Sequence, residues 1–228
     1  MKAVIPAAGE GKRFNKDSTY MHKCLVPING KALLLYTLEN LTNIKEITEC
    51  IVIIGENHEK IIDTIGTKVN DTPILFCKQK QSVKGVVGAI ESAVEEIGND
   101  DFILVLADEF VYENNYAEAI EKFKTSTNEC MVGLYYEKHL EYVKKNYTFI
   151  KSPDGFLYNF IEKPQIVYNN CSGTGNIIFK NTDKLLLLKF ICIFYFIMTK
   201  IFLALILNNF LNFQYYHNHK FYLIFVTI

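Results

Sequence analysis

Apolar residues come in short runs and in helical spacing by turns along the first 135 positions of this 228-residue chain. Lys2 to Pro6 is a brief apolar run that reads as a buried strand. Over residues 30–42, Leu34, Leu38 and Leu41 fall on one helical face, widened by Leu33 and Leu35. Cys50 to Ile54 is a second strand ended by Gly55, His58 to Ile65 a short helix, and Pro73 to Lys78 a third strand. Val86, Ile90, Val94 and Ile97 give residues 85–97 one apolar helical face. Asp101 to Ala107 is apolar nearly throughout, which suits a strand covered on both faces. A helix over Asn114 to Lys124 and a strand over Cys130 to Tyr135 complete the series. Strands alternating with helices predict an α/β fold, a three-layer αβα, Rossmann-like arrangement around a mainly parallel sheet. Ligands of such sheets bind beyond the carboxyl ends of the strands. The loop at 7–13 and Asp108 are both expected there.

From about residue 140 the pattern shifts. Tyr147 to Lys151, Pro153-Asp154-Gly155 and Phe156 to Glu162 read as a β-hairpin, and Gly175 to Lys180 as another short strand. These form a small β-rich subregion. Residues 184–228 change again, holding no Gly, Pro, Asp, Glu or Arg. A stretch of that length ordinarily carries roughly three glycines. Leu185 to Leu207 is long enough for a bilayer, which takes about 20 residues, yet Lys189 and Lys200 interrupt it. Lysine at mid-membrane costs roughly 2.5–3.5 kcal/mol. A membrane anchor over 185–207, a buried structural helix and a frame-disrupted end translated from AT-rich sequence are three readings of this tail. The last is preferred, because the composition changes so sharply. The expected division is a domain over 1–183, truncated at its C-terminal side, and a hydrophobic tail over 184–228.

A net charge of −1 and a pI near 6.5 offer no electrostatic case for nucleic acid. The six cysteines include no Cys-x-x-Cys pair. With no signal-peptide pattern at the N-terminus, reduced thiols in a cytoplasm are the simplest reading. Self-association is left open.

The chemistry concentrates in Ala7-Ala8-Gly9-Glu10-Gly11-Lys12-Arg13, between the first strand and the first helix. Small residues let backbone N–H groups reach an anion. Arg13 is the sole arginine of the chain, and its planar fork suits phosphate oxygens. Lys23 follows ten residues on. Phe14 occupies the place of the third glycine of a dinucleotide fingerprint, and no Gly-Lys-Ser/Thr of a P-loop is present. Taken alone, Gly-x-Gly is equally a tight strand-to-helix turn. Asp108, after an apolar strand, is a hard oxygen ligand for Mg²⁺, or else a helix cap. Glu109 is a neighbour able to substitute for it. His22, His58 and His139 lack ligand-like spacing and read as surface histidines.

Ala7 to Arg13, the step to Lys23, Cys24-Leu25-Val26-Pro27-Ile28 and Gly30-Lys31-Ala32-Leu33-Leu34 resemble the signature of the sugar-1-phosphate nucleotidylyltransferases, of the glucose-1-phosphate thymidylyltransferase kind. Prolines are usual in that family at the positions of His22 and Cys24. Ala107-Asp108 resembles its Gly-Asp, Glu162-Lys163-Pro164 its Glu-Lys-Pro, and Gly173-Thr174-Gly175 its sugar-side turn. The likeness runs over about residues 1–180.

The resemblance implies that a sugar-1-phosphate oxygen attacks the α-phosphorus of a nucleoside triphosphate and pyrophosphate leaves, with Mg²⁺ as cofactor. Two anions must meet, so positive charge and alignment carry the catalysis. Arg13 would hold the β/γ side of the triphosphate, Lys23 would neutralise charge at the α-phosphate, and Asp108 would ligate the metal. Ala8, Gly9 and Gly11 would bind the nucleotide through the backbone. Gln81 and Gly85, with Gln79 behind them, would meet the base. Glu162 would accept from sugar hydroxyls, Lys163 would hold the sugar phosphate and Gly175 would shape the sugar side. Thr148 stands where the family often has a glycine, which leaves the sugar open. A second acidic metal ligand comes late in the family, and no Asp or Glu follows Asp183 here. A cytidylyltransferase acting on a phosphorylated alcohol such as choline phosphate, and a non-catalytic nucleotide-sugar-binding protein, are the alternatives.

Overall fold

The structure is a computed structural model describing residues 1–9, 22–56, 59–80, 85–111, 114–127, 130–145, 147–151, 157–181, 212–215 and 222–227. The chain divides into two compact units, Met1–Ala117 and Glu118–Ile228.

The first unit runs β1 (Lys2–Pro6), a 3-10 turn (Lys23–Leu25), β2 (Pro27–Ile28), β3 (Lys31–Ala32), α1 (Leu33–Thr42) and β4 (Glu49–Ile54). It continues with α2 (Glu59–Ile65), β5 (Lys68–Val69), β6 (Thr72–Lys78), α3 (Gly85–Ser92), α4 (Val94–Ile97) and β7 (Phe102–Leu104). Its main strands lie in the order β7-β1-β4-β6-β5. β1 is parallel to β4, from Lys2↔Glu49 to Pro6↔Ile53, and to β7, from Lys2↔Phe102 to Val4↔Leu104. β4 is parallel to β6, and only the two-residue β5 runs the other way. Ala3-Val4-Ile5, Ile51-Val52-Ile53 and Phe102-Ile103-Leu104 are buried without alternation, as parallel strands covered on both faces must be. α1 adds Leu34, Leu38 and Leu41 to the same core. Each such side chain, fully buried, contributes roughly 1.5–3 kcal/mol.

Within the first unit, three boundaries differ from the sequence reading by more than one residue. α1 starts at Leu33 rather than Gly30, because Asn29 and Gly30 turn with φ of 49° and 80° and Lys31–Ala32 pairs back onto Pro27–Ile28. The helix expected over 85–97 is two helices, broken at Ala93 with φ −100° and ψ 6°. The strand expected over 101–107 keeps regular form only over Phe102–Leu104.

The second unit opens within α5 (Tyr116–Thr125) and continues with β8 (Cys130–Tyr136), α6 (Leu140–Val143), β9 (Tyr147–Lys151), β10 (Leu157–Glu162) and β11 (Cys171–Phe179). β12 (Asn212–Tyr215) and β13 (Tyr222–Thr227) lie in the hydrophobic tail. The order is β12-β13-β8-β11, antiparallel throughout. β9 and β10 form the expected hairpin, Glu162 facing Tyr147 across it. Tail strands were not expected, yet β13 pairs with β8 from Tyr222↔Leu134 to Val226↔Cys130. Among the described residues no helix is long and apolar enough to cross a membrane. The segment 185–207 lies outside them.

Candidate active site

The first unit brings two of the expected residues together. β1 ends at Pro6, and Ala7 N–H donates to the Ile53 carbonyl at 2.7 Å, so Ala8 and Gly9 leave from the carboxyl end of the parallel strands. His22 leads into the 3-10 turn that carries Lys23. Leu25 N–H donates to His22 O at 3.0 Å, and Cys24 and Leu25 are buried, so the turn is anchored and Lys23 is aimed outward. His22 is buried as well, which corrects the reading of it as a surface histidine: the same anchoring draws it inward. His139 is exposed, and His58 lies outside the described residues.

Asp108 reaches the same place from the other direction. Val105 N–H donates to Val4 O at 3.0 Å, just past the end of β7. The chain then turns over Leu106 to Glu109, closed by Glu109 N–H donating to Leu106 O at 3.2 Å. Asp108 sits inside that turn, and its Oδ2 accepts from Lys23 Nζ in an ion pair. Both side chains are partly open to solvent, at 42% for Lys23 and 35% for Asp108. A pair this exposed stabilises the fold by no more than about 1 kcal/mol. Its groups are therefore free to exchange partners. Asp108 also reaches Cys24: burial above all pushes that thiol up to about 11, and the Asp108 charge adds to the rise. Glu109 faces differently, since its charge, after burial, helps raise the Tyr116 hydroxyl well above its ordinary value.

The remaining expected residues divide between the two units. Gly85 opens α3 with φ +79°, a conformation glycine adopts without penalty. Gln79 Nε2 donates to Gly85 O at 3.1 Å, so Gln79 holds the helix start. Arg13, Gly11 and Gln81 lie outside the described residues. In the second unit, Lys163 is exposed with φ 45° just after β10, and Gly175 lies in β11. Glu162 ends β10. Thr148 is buried, its hydroxyl in contact with Cys171 O at 2.7 Å and Asn169 Oδ1 at 2.9 Å.

One residue here escaped the sequence reading. β11 bulges against β8 between Gly173 and Ile177, and Thr174 Oγ1 donates to Gly133 O at 3.0 Å. A Cβ on Gly133 would lie 2.5 Å from Thr174 Oγ1. No local motif marks Gly133, because the need for it comes from a strand some forty residues away in sequence.

Among the described residues no group of three His, Cys, Asp or Glu side chains could hold a metal ion. Asp108 stands as one accessible carboxylate. That fits a divalent cation of the Mg²⁺ kind, which is commonly bound by one or two carboxylates together with substrate phosphates.

A family model described as nucleotidyl transferase matches residues 2–191. The chain is 24% identical over 175 residues to a UTP–glucose-1-phosphate uridylyltransferase of Haloferax volcanii, covering 77% of this chain and 70% of the relative. It is 25% identical over 194 residues to UTP–glucose-1-phosphate uridylyltransferase 1 of Staphylococcus saprophyticus, covering 72% of this chain and 66% of the relative. The chain thus spans about two thirds of the length of these curated relatives. A solved structure described as a glucose-1-phosphate thymidylyltransferase from Bacillus anthracis superposes with a TM-score of 0.71 at 18% identity, covering 79% of this chain and 71% of the other. At that identity the likeness is one of fold, the α/β nucleotidyltransferase fold.

Proposed function

The chain belongs to the nucleotidyl transferase family, and from that premise we propose that it moves a nucleoside monophosphate from a nucleoside triphosphate to a sugar-1-phosphate. The observation that carries the reading is the pairing of Lys23 with Asp108, 85 residues apart in sequence, beyond the ends of the parallel strands. A cation for phosphate and a carboxylate for a metal are held side by side. UTP and glucose-1-phosphate are the first substrate pair to test, because both curated relatives named above are UTP–glucose-1-phosphate uridylyltransferases. The place of the reaction is nucleotide-sugar biosynthesis.

A phosphate oxygen of the sugar-1-phosphate attacks the α-phosphorus. The bond from the α-phosphorus to the bridging oxygen breaks, and pyrophosphate leaves with the electron pair. No side chain forms a bond, so alignment and charge carry the rate. Lys23 exchanges Asp108 for the α-phosphate oxygens as negative charge grows there. Asp108, released, would hold Mg²⁺, which supplies further positive charge to the phosphates when bound. Arg13 would take the β/γ side, and Ala8, Gly9 and Gly11 would offer backbone N–H groups. Gln81 and Gly85 are assigned to the base, and Glu162, Lys163 and Gly175 to the sugar phosphate. The nucleotidyltransferase domain is assigned to residues 1–183. A reducing compartment such as the cytoplasm is the location that goes with this reading.

The test is pyrophosphate release on incubation with Mg²⁺, each nucleoside triphosphate and a panel of sugar-1-phosphates. Release with UTP and glucose-1-phosphate is expected. Release only with CTP and choline phosphate would move the assignment to a cytidylyltransferase. Saturable nucleotide binding with no release from any pair would make the chain a nucleotide-sugar-binding protein instead.

A further inference from the structure

Helix α1 contacts both segments that meet at the Lys23–Asp108 pair, and it does so through polar and aromatic residues the catalytic reading leaves unused. Tyr36 and Asn40 stand four residues apart, on one face of the helix. Asn40 Nδ2 donates to the Val111 carbonyl at 3.1 Å, three residues beyond Asp108. Thr37 Oγ1 reaches the Glu109 carbonyl at 3.5 Å, one residue beyond it. The Tyr36 ring meets Phe110 edge-on, with centroids 5.4 Å apart and planes at 80°. Consecutive residues 109, 110 and 111 are thus each gripped from α1. On its other side, the Tyr36 hydroxyl donates to the Ile28 carbonyl at 2.8 Å, in the hairpin that directly follows the Lys23 turn. Lys31 Nζ lies 4.0 Å over the same ring and pairs with Glu39, which further restrains Tyr36.

The apolar face of α1 accounts for its burial, since Leu34, Leu38 and Leu41 fill the core. Stability does not require that the opposite contacts converge on one turn. The turn over Leu106 to Glu109 is closed by the bond from Glu109 N–H to Leu106 O, at 3.2 Å. α1 holds the three residues that follow Asp108 and so bears on where its carboxylate points. Resting on the catalytic reading above, we infer that Tyr36 and Asn40 are positioning residues: α1 ties the Asp108 turn to the Lys23 segment and so sets the metal-binding carboxylate in place. Thr37 is the weaker third tie.

The experiment measures Mn²⁺ binding to the full chain by electron paramagnetic resonance, with a non-transferable UTP analogue present, alongside kcat, KM and thermal midpoint. Asn40→Ala and Tyr36→Leu are each expected to weaken Mn²⁺ roughly tenfold, the usual loss when a group that orients a ligand is removed. kcat falls with the Mn²⁺ affinity, while KM for glucose-1-phosphate stays. Tyr36→Phe keeps the ring against Phe110 and loses only the Ile28 bond, so it recovers part of the affinity. Thr64→Ala removes a bond to Lys60 O on α2, at 2.7 Å, and serves as a control for mere destabilisation; it leaves Mn²⁺ binding unchanged. Should Tyr36→Leu fail to fold, Asn40→Ala and Tyr36→Phe carry the comparison. Wild-type Mn²⁺ binding in those variants, with binding lost in Asp108→Asn, overturns the positioning role and leaves the catalytic reading intact. Wild-type binding in Asp108→Asn removes the catalytic reading itself.

Discussion

The turn that holds Asp108 and the bulge that holds Gly175 are built on opposite principles. Around Asp108 the charged groups are half exposed, and backbone bonds, buried neighbours and α1 fix their positions. On the proposed function, the ion pair is a resting arrangement that anionic and cationic ligands divide between them. Around Gly175 the polar groups turn inward. Thr174 and Thr148 are buried, and their hydroxyls are already engaged with Gly133 O and Cys171 O. Such groups shape a surface; they do not change partners during a reaction. The difference teaches that the Asp108 turn offers exchangeable charge and the Gly175 bulge offers form. Substitutions should sort accordingly into losses of rate and losses of stability.

Asp108→Asn gives the sharpest test of that division. It keeps the shape and removes the charge, and kcat/KM should fall roughly 10²- to 10³-fold, the usual loss when a group stabilising transition-state charge is removed. The thermal midpoint should hardly move. Steady-state pyrophosphate release and a thermal scan check both halves, and a large fall in midpoint with activity retained would reverse the roles of the two regions.

Gly133→Ala is the converse change. Its Cβ meets Thr174 Oγ1 at 2.5 Å in the bulge, so overpacking should destabilise the fold by about 1–3 kcal/mol. Denaturant titration reads this directly, and Mn²⁺ affinity should stay at the wild-type value. Gly85→Ala strains the backbone, since φ is +79° while no described atom lies within 4 Å of an added Cβ. A left-handed residue costs roughly 1–2 kcal/mol. If its loss exceeds that of Gly133→Ala, close packing of the bulge is not what the second unit depends on.

Alkaline titration probes the first unit without mutation. The thiols of Cys24 and Cys50 have folded values pushed up to about 11 and about 12 from 9.0, chiefly by burial. Above pH 9 the unfolded chain releases protons that the folded chain keeps, so stability should fall as pH rises from about 9 to about 11. Denaturant midpoints across that window check the sign, and Cys24→Ala should flatten the slope. The smallest expected effect is the Lys23–Asp108 coupling itself. A double-mutant cycle on unfolding free energy should return less than about 1 kcal/mol. A larger value would mean that the pair is structural and not readily exchanged.

Much of this was legible beforehand where neighbours in sequence decide the matter. The unbroken apolar runs at 2–6 and 50–54 became central parallel strands, and Leu34, Leu38 and Leu41 became the buried face of α1. Lys23 and Asp108 were named from a loop pattern and a strand end, and they meet. The hairpin at 147–162 followed from its turn residues. What escaped depends on distant partners. Burial of His22 follows from how the Lys23 turn anchors itself, and the need for glycine at 133 follows from Thr174.

Periodicity and residue type are local, so the sequence by itself determined the alternation of elements, the apolar faces and the supply of cationic and carboxylate side chains. Pairing is not local. Only the tertiary structure decided that β13 lies against β8, that the strand before Asp108 stops at Leu104, and that Tyr36 and Asn40 grip the turn beyond it. The physical reason is that a hydrogen bond or ring contact is specified by the positions of two chain segments at once, and those positions exist only after the core has been packed.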